Sequence, residues 1–487
     1  MTNTGRHPRG LHTLFFTEMW ERMSYYGMRA MLVLFMTAQV QKGGLGFTDE
    51  VATAIYGLYT AGVYLAALPG GWVADRLLGA QRAVWIGGGI IAAGHFLLGV
   101  PRIETFFLGL MLVVIGTGLL KPNISALVGR LYPEGGARRD AGFTLFYMGI
   151  NLGAAIGPLV CSSLGEKFNW HYGFTAAGVG MVLGLVQFRL TRHRLGTAGI
   201  APEHDNESRQ RDWIIVGSAL TGLTLVTALC LGGWISINPV WLARRTTLLI
   251  VGLAVAYFLW AFLLAKLDAV EKRRMVVIAI LFAGAAMFWS GYEQAGSSLN
   301  LFAERHVLRK IPALGREIPT GWFQSLPALF VILFAPVAAA LWLWLGRRKR
   351  DPSMLTKFAI GLVLLAVGFL VLVFGARKAL ATGPVWPTWL IASYMLHVLG
   401  ELCLSPVGLS SVSKLAPPRL VGQMMGIWFL GASLGNLIAG LLAGEVSGDN
   451  AAAMPSRFFQ IVMTAGGAGL LLLLFTKPLT KLTGGVR

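Results

Sequence analysis

The chain has 487 residues, of which 55% are hydrophobic and only 13% are charged. A soluble globular protein carries about 25% charged residues, so this composition argues against a soluble enzyme, a disordered chain and a nucleic-acid-binding domain. The net charge of +19 does not indicate a nucleic-acid partner, because the basic residues concentrate in short loops between apolar segments, as they do in the cytoplasmic loops of membrane proteins.

Apolar segments follow one another along the whole chain. A helix needs about 20 residues to cross the hydrocarbon core of a bilayer, and about fourteen segments reach that length. We predict membrane-spanning helices over 13–40, 51–74, 84–100, 105–131, 142–164, 172–190, 213–233, 241–267, 275–303, 322–345, 354–376, 386–415, 422–446 and 458–477. The basic loops lie on the side that holds both termini, which predicts that both termini are cytoplasmic.

The spacing of the predicted helices indicates three regions in an all-α integral membrane protein. Residues 1–190 form a six-helix bundle, 191–272 a cytoplasmic linker with two accessory helices, and 273–487 a second six-helix bundle. This arrangement resembles the two-bundle layout of major facilitator transporters. We interpret the polar interval 189–211, with His193, His204 and Asp205, as a solvated loop, because no pair of metal ligands shares a helix face.

The loop between the second and third predicted helices carries a recognisable motif. Residues 71–82 resemble the G-x-x-x-D-R-x-x-G-x-x-R loop of the major facilitator superfamily. Asp75 lies near a helix N-terminus, where the helix dipole stabilises an acid, and Arg76 and Arg82 are able to reach carbonyl or carboxylate oxygens. We therefore predict a cytoplasmic clamp formed by Asp75, Arg76 and Arg82.

Charged residues inside the predicted spans indicate a polar interior, because a charge at bilayer depth is costly unless it faces such a cavity. In the first span, spacings of three and four residues place one set of side chains along a helix face: Glu18, Arg22, Tyr25 and Arg29, flanked by Glu21 and Tyr26. Lys121, Glu293 and Glu401 lie mid-way along later spans. We predict that these groups meet in one cavity. Ion pairs that only hold helices together are the alternative, but such pairs seldom stabilise more than apolar packing.

Residues 18–27 resemble the E-x-x-E-R-F-x-Y-Y-G signature of the proton-dependent oligopeptide transporter family, with Met23 in place of Phe. Further segments similar to that family follow in order at 118–123, 146–153, 288–294 and 400–406. The resemblance implies a proton-coupled symporter that imports di- and tripeptides, and related drugs, by alternating access between two bundles. It further implies a bacterial inner-membrane protein, expected to be monomeric, with protons as the coupling ion and no cofactor or metal.

The family pattern assigns roles to the charged residues. Arg22, Arg29 and Lys121 would hold the peptide carboxylate, and Glu401 would hold the ammonium group. The polar contacts to the peptide would come from Asn151, Tyr25, Tyr26, Tyr64 and Tyr147. The side-chain pockets would be shaped by Phe146, Phe288, Trp289 and Trp428, for which packing in the core is an open alternative.

Coupling requires a group that changes charge at working pH. Glu21 beside Arg22 qualifies, as does Glu293 opposite Lys121, and Glu18 belongs to the same set. Burial raises the pKa of a carboxyl group and a nearby cation lowers it, so protonation of Glu293 would loosen its salt bridge with Lys121. Mammalian family members have a histidine in the second helix where this chain has Gly57.

Two points stay open. His397 is interpreted as a packed histidine rather than a proton relay, and Pro327 stands where the family often has a substrate-binding Asn. Pro327 offers no amide and favours a kink, so either the substrate range differs, or Gln324 or a water substitutes. The alternative functions are transport of another anion, against which Glu401 argues, and a membrane-embedded enzyme, for which no nucleophile–base or metal constellation is present in the sequence.

Overall fold

The computed structural model describes residues 7–202, 209–311, 315–447 and 451–484. Within these ranges, 12 helices are long and apolar enough to cross a membrane. Two further long helices, α1 (Gly10–Thr37) and α3 (Ala80–Leu98), carry charged or polar side chains that lower their hydropathy. His204 and Asp205 of the predicted solvated loop lie outside the described residues.

The chain divides into two compact units. Unit 1 comprises residues 1–45 and 62–238, and unit 2 comprises residues 46–61 and 239–487. Besides α1 and α3, unit 1 contains the second half of α2 (Asp49–Val73), a π-helical turn (Ala74–Leu78), α4 (Ile103–Arg130), α5 (Gly136–Lys167), α6 (Trp170–Thr191) and α7 (Arg209–Leu231).

Close helix packing holds unit 1 together. α1 packs against α5 and α6, and α3 packs against α4. At Gly153 and Gly157 of α5 the backbone of α1 lies so close that a β-carbon would overlap the carbonyl oxygens of Met19 and Met23. Small residues allow this approach between helices in lipid, where van der Waals contact rather than the hydrophobic effect drives association. This close packing against α5 fixes the position of the charged face of α1.

Unit 2 contains the remaining helices and the first half of α2. These are α8 (Pro239–Leu263), α9 (Ala269–Tyr292), α10 (Ser298–His306), α11 (Leu326–Arg347), α12 (Met354–Thr382), α13 (Thr388–Leu415), α14 (Val421–Ser447), α15 (Met454–Leu474) and α16 (Thr476–Leu482). A short antiparallel hairpin, β1 (Lys310–Ile311) and β2 (Arg316–Glu317), follows α10. The core of the unit lies where α12 packs against α13 and α15.

Each predicted span overlaps one long helix, except 275–303, which is broken in the structure. α9 ends at Tyr292, a 3-10 turn covers Glu293–Gly296, and α10 begins at Ser298. A β-carbon at 296 would overlap the hydroxyl of the buried Tyr56 side chain, so any larger residue there would force that ring to shift. The predicted span is confirmed as one candidate membrane span, Ala269–His306. The 3-10 turn inside it was not predicted, because hydropathy alone carries no signal for a break.

The two accessory helices behave as lipid-facing segments. Of the 18 residues that form the apolar stretch of α7, none is buried, and in the corresponding stretch of α8 only 17% of the residues are buried. α7 belongs to unit 1 and α8 to unit 2, so the unit boundary falls between them. The three-region division expected from the sequence stays a prediction.

Candidate functional site

The charged face of α1 is buried inside unit 1. Glu18, Glu21 and Arg22 are 2%, 0% and 3% exposed, and Arg29 is 7% exposed. The Arg22 Nε donates a hydrogen bond to Glu21 Oε2 and lies 3.1 Å from Glu18 Oε1, one helical turn away, as an ion pair. Two acids therefore share one nitrogen of a single guanidinium group.

Other donor and acceptor atoms of these three side chains take no part in this contact. Within the described ranges, Arg22 Nη2, Glu18 Oε2 and Glu21 Oε1 are buried and lack a hydrogen-bond partner. A buried polar atom without a partner costs about 1–3 kcal/mol, so the arrangement is poorly explained as a device for stability alone. Arg22 presents its planar donors to a further anion, and a carboxylate is the group whose geometry they match.

Aromatic rings surround the cations of unit 1. Arg22 lies over the Tyr25 ring at 5.1 Å, and Arg29 lies over the Tyr26 ring at 5.5 Å. Such contacts stabilise a cation more strongly when it is desolvated. The rings therefore help to keep both guanidinium groups charged in a buried setting.

Lys121 of α4 lies over the ring of Tyr64 from α2, with the ammonium nitrogen 4.3 Å from the ring centre. Lys121 also acts electrostatically on Glu18. The structure thus brings three predicted site residues of unit 1 together across α1, α2 and α4.

α5 carries the next group of predicted residues. Phe146 is 3% exposed and Asn151 is 7% exposed, whereas Tyr147 is 40% exposed. The Asn151 side-chain amide donates to the Tyr147 carbonyl at 2.9 Å, one turn back along the helix. Its side-chain oxygen is not used in this bond and keeps its capacity to accept one.

In unit 2, Glu401 of α13 accepts a hydrogen bond from the Tyr292 hydroxyl at 2.5 Å. Tyr292 stacks on Phe288 at 5.6 Å and meets the edge of Trp289 at 5.4 Å. An acid with a phenol donor inside an aromatic wall is a suitable site for an ammonium group, because the rings add cation–π attraction. Tyr292 was not predicted, although it directly precedes Glu293.

Glu293 lies in the 3-10 turn between α9 and α10 and is 4% exposed. The amide of Gln324 donates to the Ala295 carbonyl in the same turn and to the Tyr394 hydroxyl at 3.2 Å. Tyr394 also donates to the Ala295 carbonyl at 3.4 Å. Side chains from two other parts of unit 2 thus hold the backbone that carries Glu293.

Lys121 belongs to unit 1 and Glu293 and Glu401 to unit 2. The Lys121–Glu293 salt bridge and the convergence of all these charges in one cavity stay predictions.

Pro327 occupies the second position of α11. An amide hydrogen there would have no partner within the helix, so proline removes no hydrogen bond from α11, and the kink expected from the sequence stays a prediction. Gln324 is bound to Ala295 and Tyr394, and its amide therefore holds the broken helix in place.

At the position in the second helix where the family's mammalian members have a histidine, this chain has Gly57. A β-carbon on Gly57 would lie 3.1 Å from the Gly440 α-carbon and 3.2 Å from the Asn436 carbonyl oxygen. This close approach of α2 and α14 leaves no room for an imidazole. His397 is 1% exposed, with its ring 4.8 Å from that of Phe369 and its Nε2 3.4 Å from the Ser393 hydroxyl, which confirms the interpretation as a packed histidine.

The remaining predicted aromatics differ in burial. Phe288 is fully buried and Trp428 is 8% exposed, both within the core of unit 2, where Trp428 meets Phe358 edge-on at 6.5 Å. Trp289 is only partly buried. Of these three, Trp289 has the most surface to offer a ligand, and the pocket role of all of them stays a prediction.

The motif residues Asp75 and Arg76 lie in the π-helical turn after α2, and Arg82 is exposed on α3. Arg76 Nη1 contacts the Asp212 carboxylate at 3.4 Å, and the Asp212 side chain is 1% exposed. Asp212 lies in the first turn of α7. The arginine thus reaches an acid, as predicted for this motif, and that acid belongs to an accessory helix.

A further ion pair escaped the sequence analysis. Arg305 of α10 binds Asp49 at the start of α2 through both terminal nitrogens, at 2.6 and 2.8 Å. The two residues are 256 positions apart, so no local pattern signals their contact. Across the described ranges, no group of three His, Cys, Asp or Glu side chains is placed to hold a metal ion.

Known proteins similar to this chain share its length and fold. The sequence profile of the POT family matches residues 81–455. A peptide transporter of Yersinia enterocolitica, YePEPT, is 43% identical, covering 98% of this chain and 95% of that protein. A di-/tripeptide transporter of Lactococcus lactis is 37% identical, covering 99% and 97%.

Solved structures agree with these relatives. A crystal structure of the peptide transporter POT in complex with sulfate is 41% identical, with a TM-score of 0.90, and covers 99% of this chain and 96% of that chain. A POT family transporter in complex with 5-aminolevulinic acid is 34% identical, with a TM-score of 0.88 and 98% coverage of both chains. The present chain therefore belongs to the POT family and is a multi-pass membrane protein with the major facilitator fold.

Proposed function

We propose that this protein is a proton-coupled symporter that imports di- and tripeptides by alternating access of its two bundles. The observation that carries the proposal is the buried Glu18–Glu21–Arg22 group, in which a guanidinium group shared by two acids keeps an unpartnered nitrogen. Peptides differ in their side chains, but each has one terminal carboxylate and one terminal ammonium group. A site that recognises those two ends accepts many sequences.

The carboxylate end is assigned to Arg22, Arg29 and Lys121 of unit 1. Arginine gives planar two-point contacts and lysine a point charge. The relative with bound sulfate supports an anion-accepting site in this family.

The ammonium end is assigned to Glu401, which is presented with Tyr292 inside an aromatic wall. 5-Aminolevulinic acid, bound by another relative, carries both an amine and a carboxylate. That chemistry supports the same two-ended recognition, and with it the acceptance of peptide-like drugs.

Coupling is assigned to carboxyl groups, with protons as the coupling ion and no other cofactor. Glu21 and Glu293 are both buried, and a buried carboxyl group changes its proton occupancy when a neighbouring cation moves. Glu18, which shares Arg22 with Glu21, belongs to the same set. The proposed location is the bacterial inner membrane with both termini in the cytoplasm, and the basic loops support that orientation.

The test is uptake of a labelled dipeptide into proteoliposomes with and without an imposed pH gradient. We expect accumulation only with the gradient, and loss of accumulation in Glu21→Gln and in Glu293→Gln. Peptide exchange at equal pH should survive in at least one of these variants, because exchange needs no net proton movement. Glu134→Gln is the matched control, since Glu134 forms an exposed pair with Arg138 at 3.1 Å. Parent-like accumulation in both buried variants would overturn the coupling assignment.

A second measurement separates peptide from general anion transport. N-acetylated dipeptides should bind the parent poorly, since a buried acid left without a cation is costly. Glu401→Gln should bind free dipeptides poorly and distinguish little between free and acetylated forms. Undiminished binding of acetylated peptides to the parent, measured by calorimetry, would favour the anion alternative.

A further inference from the structure

A cavity of about 940 Å³ lies within unit 2, apart from the residues discussed so far. The C-terminal ends of α11 and α13, the N-terminal end of α12 and the short helix α16 line it, and Lys349 and Lys414 are exposed at its open side. Because these are the ends of membrane-spanning helices, the cavity lies at the level where lipid head groups meet water.

The charge of the cavity is positive. Among the described residues, its lining includes Lys349, Lys357 and Lys414 and the acid Asp351. Lys357 pairs with Asp351 at 2.7 Å, and its ammonium group lies over the Trp342 ring at 4.7 Å. Counted as formal charges, the three lysines and one aspartate of the described lining sum to about two positive units.

The N-terminus of α12 adds to this potential. Ser353 caps the helix by accepting from the Thr356 amide at 3.2 Å, and Ser353 and Met354 both line the cavity. The N-terminal end of a helix carries a partial positive charge and attracts anions, phosphate groups in particular. Lysines and helix dipole therefore act on the same space.

The other lining groups contribute few donors. Ser411 donates its hydroxyl to the Val407 carbonyl at 2.6 Å, and Thr483 donates to the Thr480 carbonyl at 2.8 Å. Those two hydroxyl oxygens only accept further bonds, so we expect the lysines of the lining to supply most of the donors to an anion. Because Lys357 is already paired with Asp351, substitution of Lys349 and Lys414 is the most direct perturbation.

Tryptophans mark the lipid interface beside the cavity. Trp342 and Trp344 lie in the last turns of α11, and Arg348 covers the Trp344 ring at 4.1 Å. Tryptophan and basic residues concentrate at the head-group level of membrane proteins. Basic pockets between membrane helices are known to hold phosphorylated lipid head groups.

We propose that this cavity binds a phosphate group, presented by the head group of an anionic phospholipid from the surrounding leaflet. The cavity is large enough for a head group with two phosphates, since drug-sized ligands occupy about 300–1,000 Å³. The assignment does not depend on the peptide site, because it concerns different residues of unit 2.

The test measures thermal stability of the purified full chain in detergent with short-chain phosphatidylglycerol. We expect the parent to be stabilised in a concentration-dependent way, as a ligand specific for the folded state must do. Short-chain phosphatidylcholine should stabilise much less. The double variant Lys349→Gln/Lys414→Gln should bind phosphatidylglycerol roughly 25-fold more weakly, at about fivefold per lysine.

Lys477→Gln/Lys481→Gln is the matched control, because it removes the same charge from exposed positions on α16 that do not line the cavity. The control should bind phosphatidylglycerol as the parent does. An equal loss in both double variants would mean general surface attraction and would overturn the proposal, as would equal stabilisation by phosphatidylcholine.

Inorganic phosphate and glycerol phosphate form a separate arm that identifies the source of the phosphate group. If they stabilise the parent and not the cavity variant, the site takes a soluble phosphate. If only the lipid does so, the head group is the ligand. No stabilisation by any of the three would refute phosphate binding.

Discussion

Gln324→Leu tests whether the break between α9 and α10 matters for transport. The leucine has a similar size but no amide, so the Ala295 carbonyl loses the Gln324 bond and keeps the Tyr394 hydroxyl at 3.4 Å. The carbonyl belongs to the turn that carries Glu293, and the chain leaves helical geometry just after it, since Ser297 has φ −125° and ψ −98°. The substitution therefore weakens the hold on Glu293 without touching it.

The expected magnitude follows from the buried position of these groups. Leaving a buried acceptor poorly satisfied costs about 1–3 kcal/mol. If that energy is lost from only one state of the transport cycle, the balance between states shifts by about 5–150-fold. We expect gradient-driven uptake to fall about tenfold or more, with a displaced pH profile, because the environment of Glu293 changes.

The assay compares initial uptake rates in proteoliposomes across pH with peptide exchange at equal pH. Gln423→Leu is the matched control, since Gln423 accepts a bond from the Tyr257 hydroxyl at 3.0 Å at an exposed site. Tyr394→Phe removes the second donor to Ala295. The double variant with Gln324→Leu should lose more than the sum of the two, because each single variant leaves the carbonyl one of these donors and the double variant removes both.

An unchanged pH profile with normal uptake in Gln324→Leu would refute the idea that this amide positions Glu293. Equal losses of expression and uptake in Gln324→Leu and Gln423→Leu would indicate a general effect of the substitution. Simple additivity with Tyr394→Phe would place the two donors in separate roles.

Three further outcomes are expected. Arg305→Asp should lower uptake roughly fivefold, from loss of about 1 kcal/mol in a partly exposed two-point pair, and Asp49→Arg in the same chain should restore much of it. Arg76→Gln should lower the melting temperature more than Asp212→Asn, because the first removes a cation 3.4 Å from a buried acid, to which Arg211 lies only within 3.8 Å, and the second leaves a 36% exposed arginine that water solvates; the reverse order would contradict this assignment. Amidating the C-terminus of a dipeptide should weaken binding much less in Lys121→Ala than in the parent, and equal losses by calorimetry would remove Lys121 from the carboxylate site.

Local periodicity predicted the parts of the protein in which near neighbours decide the structure. Glu18 and Arg22 are four residues apart, and in the structure they pair at 3.1 Å on one buried face. Most of the helices were predictable for the same reason, since about 20 consecutive apolar residues suffice to mark a span. The site's aromatic and amide residues carry no such mark, and their roles remain predictions.

Partners far apart in the chain could not be predicted. Arg76 and Asp212 are 136 positions apart, and Gln324 and Ala295 are 29 apart in different segments. Each contact arises because folding brings separate helices together. The sequence offered a charged or amide side chain in each case, without saying which group it would meet.

The break at Glu293 and the crowded guanidinium group at Arg22 have a common physical basis. In each, a polar group stays in the membrane interior, where an apolar helix would be less costly. At Arg22 a buried donor nitrogen lacks a partner, and at the 3-10 turn a backbone carbonyl is satisfied by two side chains from elsewhere in unit 2. Selection for stability alone would favour neither feature, and both fit the proposed binding and release of a charged ligand and a proton within the same span of membrane.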